Sequence, residues 1–134
     1  MLRHTIAALA LVSLASPSLA AAAAPVDDIG CTARLIWFIN KGRESAKDTS
    51  KTEEARARTY GFVEQMRGAL GYYEARIDAT GKADRSQAFS AAFTEISALA
   101  DKDHETLVDQ TMTCVSQYEV AEKRVMDSFK SKKD

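Results

Sequence analysis

No proline follows Pro25 in this chain of 134 residues. A proline inside a helix removes a backbone donor and clashes with the preceding turn, at a cost of about 3 kcal/mol or more. A stretch free of it from position 26 onward can be helical almost throughout. One short apolar run, Leu35 to Ile39, has the character of a buried strand. No second run of that kind exists to pair with it, and a lone strand is not viable. The chain is therefore expected to be all-α.

Four helices follow from the spacing of apolar residues and the end signals. Asp27 or Asp28 caps a first helix running to about Gly42, apolar on most sides through Ile29, Ala33, Leu35, Ile36, Trp37, Phe38 and Ile39. A helix of that kind is buried by several neighbours. Ser50 or Thr52 starts a second helix that runs to about Asp78, with Gly81 as its stop. Thr59, Val63, Met66, Leu70, Tyr73 and Ile77 make one helical stripe along it. Asp84 or Ser86 caps a third, whose inner face is Phe89, Ala92, Phe93, Ile96, Leu99 and Ala100. The fourth follows Asp101-Lys102-Asp103 and runs to about Phe129. Its inner stripe is Leu107, Thr111, Cys114, Tyr118, Ala121 and Val125, flanked by Val108, Val115 and Phe129. Short links make sequential helices antiparallel neighbours, so the expected architecture is a four-helix bundle-like domain.

Residues 1–24 read as a secretory signal peptide. Arg3 lies in a short cationic start, Thr5 to Leu14 is apolar but too short to span a bilayer, and Pro17 precedes a run of small residues. Cleavage is expected after Ala20, Ala22 or Ala24, leaving residues 25–134 as one helical domain with no membrane span, periplasmic or secreted. In an exported chain, two cysteines imply one disulfide. A Cys31–Cys114 bridge closes a loop of 83 residues and staples the first helix to the last. Lipid attachment at Cys31 is not expected, because Asp27-Asp28-Ile29-Gly30 separates it from the apolar segment.

Charge and composition exclude several functions. Of 18 Lys and Arg, one is Arg3, so the mature part sets 17 cations against 19 Asp and Glu, interspersed along the chain. That is no basic stripe for nucleic acid and no polybasic membrane anchor. The mature part holds one histidine, His104. Two Glu-x-x-His pairs for a di-metal bundle, a second zincin histidine and a Cys-x-x-Cys redox pair are all missing. His104 opens a helix amid Asp101, Asp103 and Glu105, a solvated place that suits no catalytic triad. Met66, Met112 and Met126 are scattered as packing residues rather than gathered as copper ligands. No catalytic residue, metal or cofactor is expected.

The second helix carries an unusual other face. Ala57, Gly61, Glu64, Gly68, Gly71 and Ala75 repeat at helical spacing opposite the large apolar stripe, with Tyr60 and Tyr72 nearby. Each mid-helix glycine costs about 0.5–1 kcal/mol relative to alanine, so three of them call for close backbone approach. Either another helix of the same bundle lies on this face, or it is a shallow groove for a partner or a second copy.

The segment Gly71-Tyr72-Tyr73-Glu74-Ala75-Arg76-Ile77-Asp78-Ala79-Thr80-Gly81, with an early and a late cysteine, resembles small exported bacterial all-helical proteins of unassigned function. In architecture alone the chain is more distantly similar to the HdeA-type acid-stress periplasmic chaperones, which are shorter. The resemblance implies location and architecture and no chemistry. The function expected is binding an envelope or extracellular protein, as a chaperone-like, inhibitor or immunity-type module. A carrier holding an apolar molecule near Trp37, Phe89 and Phe93 is the alternative, and an enzyme the least expected class.

Overall fold

The four expected helices are present in the computed structural model, which describes residues 26–81 and 84–132. The expected signal peptide and its cleavage sites lie outside the described residues. The helices are α1 (Asp28–Ala46), α2 (Glu53–Ala79), α3 (Ser86–Lys102) and α4 (His104–Lys130). Asp27 accepts a hydrogen bond from the Gly30 amide at 2.7 Å, Thr52 from Ala55 at 3.2 Å and Asp103 from Thr106 at 3.1 Å. At α3 the capping position is Arg85, which makes no side-chain cap; Asp84 instead accepts from the Ser86 amide at 2.9 Å and its hydroxyl at 2.7 Å. Gly81, at φ +99°, follows the end of α2 in the left-handed conformation that glycine adopts without strain.

Helix α1 is the hub of the bundle. It packs on α2, α3 and α4, whereas no Cα of α2 comes within 8 Å of one of α3. Two apolar clusters lie on its two sides. Cys31, Leu35 and Ile39 join Val63, Met66, Ala69 and Tyr73 of α2 and Cys114 and Val115 of α4. Ala33 joins Ala92 and Ile96 of α3 and Leu107 of α4, with Trp37, Phe89 and Phe93 packed around them. This explains why α1 is apolar nearly all round: Gly30 to Leu35 are all buried.

The Cys31–Cys114 disulfide is present, with Cα atoms 5.7 Å apart. It joins the first turn of α1 to the middle of α4.

Two features depart from the sequence reading. Gly42 does not end α1, which continues to Ala46. A Cβ on Gly42 would stand 2.5 Å from Cγ2 of the buried Val63, so glycine is there to let α1 and α2 approach. Gly42→Ala is therefore expected to destabilise the fold by about 1–2 kcal/mol, overpacking outweighing the gain in helix propensity. Gly61→Ala meets nothing within 4 Å and is expected to stabilise by about 0.5–1 kcal/mol. Urea unfolding of the two variants checks the opposite signs.

The second departure is the far end of α4. Val125, expected on the inner stripe, and Phe129, expected to flank it, are 54% and 61% exposed, and every described residue from Glu122 onward is exposed. The reason is length. His104 stands beside Phe38 of α1, ring centres 6.3 Å apart, and Cys114 has already reached the first turn of α1. Sixteen residues of α4 remain beyond Cys114, about 24 Å of helix. Helix α1 has only Asp28 to Gly30 left on that side. The stripe outruns the helix it was packing on.

Candidate interaction face

The small-residue face of α2 is open. Ala57, Gly61, Glu64, Gly68, Gly71 and Ala75 are all exposed, and no helix of the described residues lies along them. The internal-packing alternative is thereby corrected. It holds at one point: a Cβ on Gly68 would meet the Tyr118 hydroxyl at 2.9 Å. There α4 crosses α2 and then projects beyond it. The physical cause lies in α4, which meets α2 around residues 65–73 and uses the tyrosine edge of that region rather than the glycine stripe. Gly61 and Gly71 have open space where a Cβ would stand.

The two tyrosines beside this face part company. Tyr60 is 57% exposed, near Arg43 and Lys47 at the far end of α1. Tyr72 is half-buried in an aromatic cluster. Its ring lies 5.0 Å from that of Tyr73, edge to face, and 5.9 Å from that of Tyr118. The Arg76 guanidinium stands over the Tyr72 ring at 5.4 Å. Arg76 also donates from Nε to both oxygens of Asp28, at 3.0 and 3.1 Å, tying α2 to the start of α1. That bonding holds its pKa above the ordinary arginine value.

Tyr73 forms the floor. Its hydroxyl donates to the Cys114 carbonyl at 2.8 Å and lies 3.0 Å from the Gln117 side chain. Burial, aided by the neighbouring Tyr72 and Asp28, pushes its pKa up to about 12. A raised tyrosine pKa means the neutral form is favoured in the fold. Its contribution is complete below pH 10 and is lost as pH rises from 10 through 12. The expected loss is about 2–3 kcal/mol by the top of that window. Tyr73→Phe removes this dependence, so the stability difference between the two proteins is expected to shrink across the same window in chemical denaturation.

Above this floor, α4 carries the exposed apolar residues Val120, Val125, Met126 and Phe129. Glu119 accepts from Gln65 at 2.6 Å, and Glu122 accepts from Tyr118 at 3.1 Å. The overhang, the tyrosine cluster and the α2 glycines meet at Gly68 and Tyr118. Of the sequence-derived groove residues, Gly68 and Tyr72 are brought together with α4; Ala57, Gly61 and Tyr60 lie further along α2.

The most buried charge was not singled out in the sequence. Arg34 is 1% exposed. It donates to Glu95 at 2.7 Å, to Gln110 at 2.7 and 3.1 Å, and to the Gly30 carbonyl at 3.2 Å. It therefore links α1 to α3 and α4. The signal available was a lone arginine directly before the apolar run Leu35 to Ile39; its partners are 61 and 76 residues away.

His104 is exposed at the start of α4. Among the described residues no group of three or more His, Cys, Asp or Glu is placed to hold a metal, and no helix is long and apolar enough to cross a membrane. Trp37, Phe89 and Phe93 pack around Ala33, Ala92, Ile96 and Leu107. Comparison with protein families, with curated proteins and with solved structures found no match.

Proposed function

We propose that the protein is an exported, non-enzymatic module of the periplasm or cell exterior that acts by binding another protein through the face built by α2 and the end of α4. The observation that carries this reading is the overhang: Val125, Met126 and Phe129 share one side of the end of α4 and are each more than half exposed. Apolar residues gathered on one element, rather than scattered singly, mark interaction surfaces. Open glycines on α2 allow a partner's backbone to come close, and Tyr60 offers an aromatic anchor. Glu119, Glu122 and Asp127 intersperse the overhang's cations, which favours a polypeptide over an anionic lipid surface. The disulfide supports an extracytoplasmic setting.

The test is a pull-down from cell-envelope extract with the disulfide-bonded mature protein and with a Val125→Asp, Phe129→Asp double variant. Both residues are exposed, so the variant is expected to keep its melting temperature within about 2 °C. A discrete partner retained by the parent and lost by the variant supports the reading. Equal retention by both, or no partner at all, overturns it.

A further inference from the structure

Between α2 and α4 runs an open groove of about 420 Å³ whose walls include Tyr72, Arg76, Gln117, Val120 and Arg124. Two guanidinium groups border it and no Asp or Glu lines it, in a chain whose acids outnumber its bases. Two carboxylates that flank the α4 wall in sequence are engaged elsewhere: Glu119 with Gln65, and Glu122 with Tyr118. Arg76 commits Nε to Asp28 and Nη1 to the Tyr72 hydroxyl at 3.3 Å. Among the described residues its Nη2 makes no hydrogen bond, and Arg124 makes no ion pair.

We propose that this groove receives a carboxylate-bearing segment of a partner polypeptide, with Arg76 and Arg124 taking the acid and Val120 and Tyr72 the apolar residues beside it. The proposal rests on the interaction-face reading and names the chemistry of the partner. Arg76 is already oriented: the Asp28 bond and the Tyr72 ring fix its planar fork, so less side-chain freedom is lost when a carboxylate arrives. Arginine and tyrosine at one site are the residue types that dominate binding energy at interfaces. A polypeptide is favoured over a free small acid because the groove is open along α4 and its wall carries apolar Val120 and Ala121 beside the arginines. An extended or helical segment can use both; a small acid can use only the arginines.

The experiment selects a random linear peptide library on the disulfide-bonded mature protein, then measures the recovered peptides against variants. Recovered sequences are expected to be enriched in Asp or Glu next to Leu, Ile, Val or Phe. Their affinity is expected to fall about tenfold in Arg124→Gln, the order of one charge-assisted hydrogen bond. Lys123→Gln removes the same charge one residue away, where the ammonium is paired with Asp127 at 2.7 Å, and is expected to leave affinity unchanged. An equal loss in both variants means net charge alone attracts the peptides and overturns the proposal. Peptides that bind without acidic enrichment, yet compete with Val125→Asp-sensitive binding, overturn it while leaving the interaction face standing. A library that yields no binder overturns both. Binding of 4-phenylbutyrate as tight as that of the peptides replaces the polypeptide with a small acid, and also overturns it.

Discussion

Replacing Cys31 and Cys114 together with alanine is expected to lower the free energy of unfolding by about 4 kcal/mol. The bridge closes a separation of 83 residues, and the chain-entropy relation gives about 4–5 kcal/mol for a loop of that size. Both sulfurs are also buried in the cluster shared by α1, α2 and α4, so their loss removes packing as well as the tie. A domain of this length has about 5–15 kcal/mol in all, so a large share of the stability hangs on one covalent bond. The effect should fall unevenly. Helix α4 has buried side chains only from Leu107 to Val115, and that short stretch is what the disulfide holds against α1. The alanine pair is a cleaner comparison than reduction, because reduction leaves two buried thiols in place. Urea denaturation of the oxidised parent and the variant measures the difference. A loss below about 1 kcal/mol contradicts the stapling role.

Arg34→Ala is expected to cost about 3 kcal/mol, the second largest effect. The side chain is 1% exposed and its hydrogen bonds reach three helices. Its removal widens the groove that it lines between α1, α3 and α4, and leaves the Gln110 side chain without its donor. Breaking a buried charge pair costs about 3–5 kcal/mol. The lower end applies because Glu95 is 57% exposed and rehydrates easily. Arg34→Met keeps most of the volume and is expected to recover about half of the loss. Glu95→Gln keeps a hydrogen-bond acceptor in place and is expected to cost about 1 kcal/mol. Equilibrium unfolding of the three variants gives the order Ala, Met, Gln from largest to smallest loss. Arg34→Ala within about 1 kcal/mol of the parent contradicts it.

Much of the architecture was legible because its signals are local. Asp27, Thr52 and Asp103 are short oxygen-bearing side chains just ahead of apolar periodicity, and each became a cap. The α2 stripe ending at Tyr73 and Ile77 was readable for the same reason. What failed depended on neighbours. Gly42 looks like a stop, but its meaning is set by Val63 on another helix. Val125 keeps the inner-stripe period and Phe129 flanks it, yet period carries no information on how far α1 extends alongside. Arg34 finds Glu95 and Gln110 only after three helices assemble. The glycine stripe of α2 was visible as a pattern, but whether it was covered depended on where α4 crosses.

The most direct measurement of the proposed role is site-specific photocrosslinking. A benzophenone side chain is placed at Val125 on the overhang, and separately at Thr94 on the exposed face of α3. Each protein is then irradiated in its native envelope setting. A discrete adduct of higher mass from position 125 and none from position 94 is the outcome expected of a protein that works through the α2–α4 face. Adducts of equal yield from both positions, or none from position 125, contradict it.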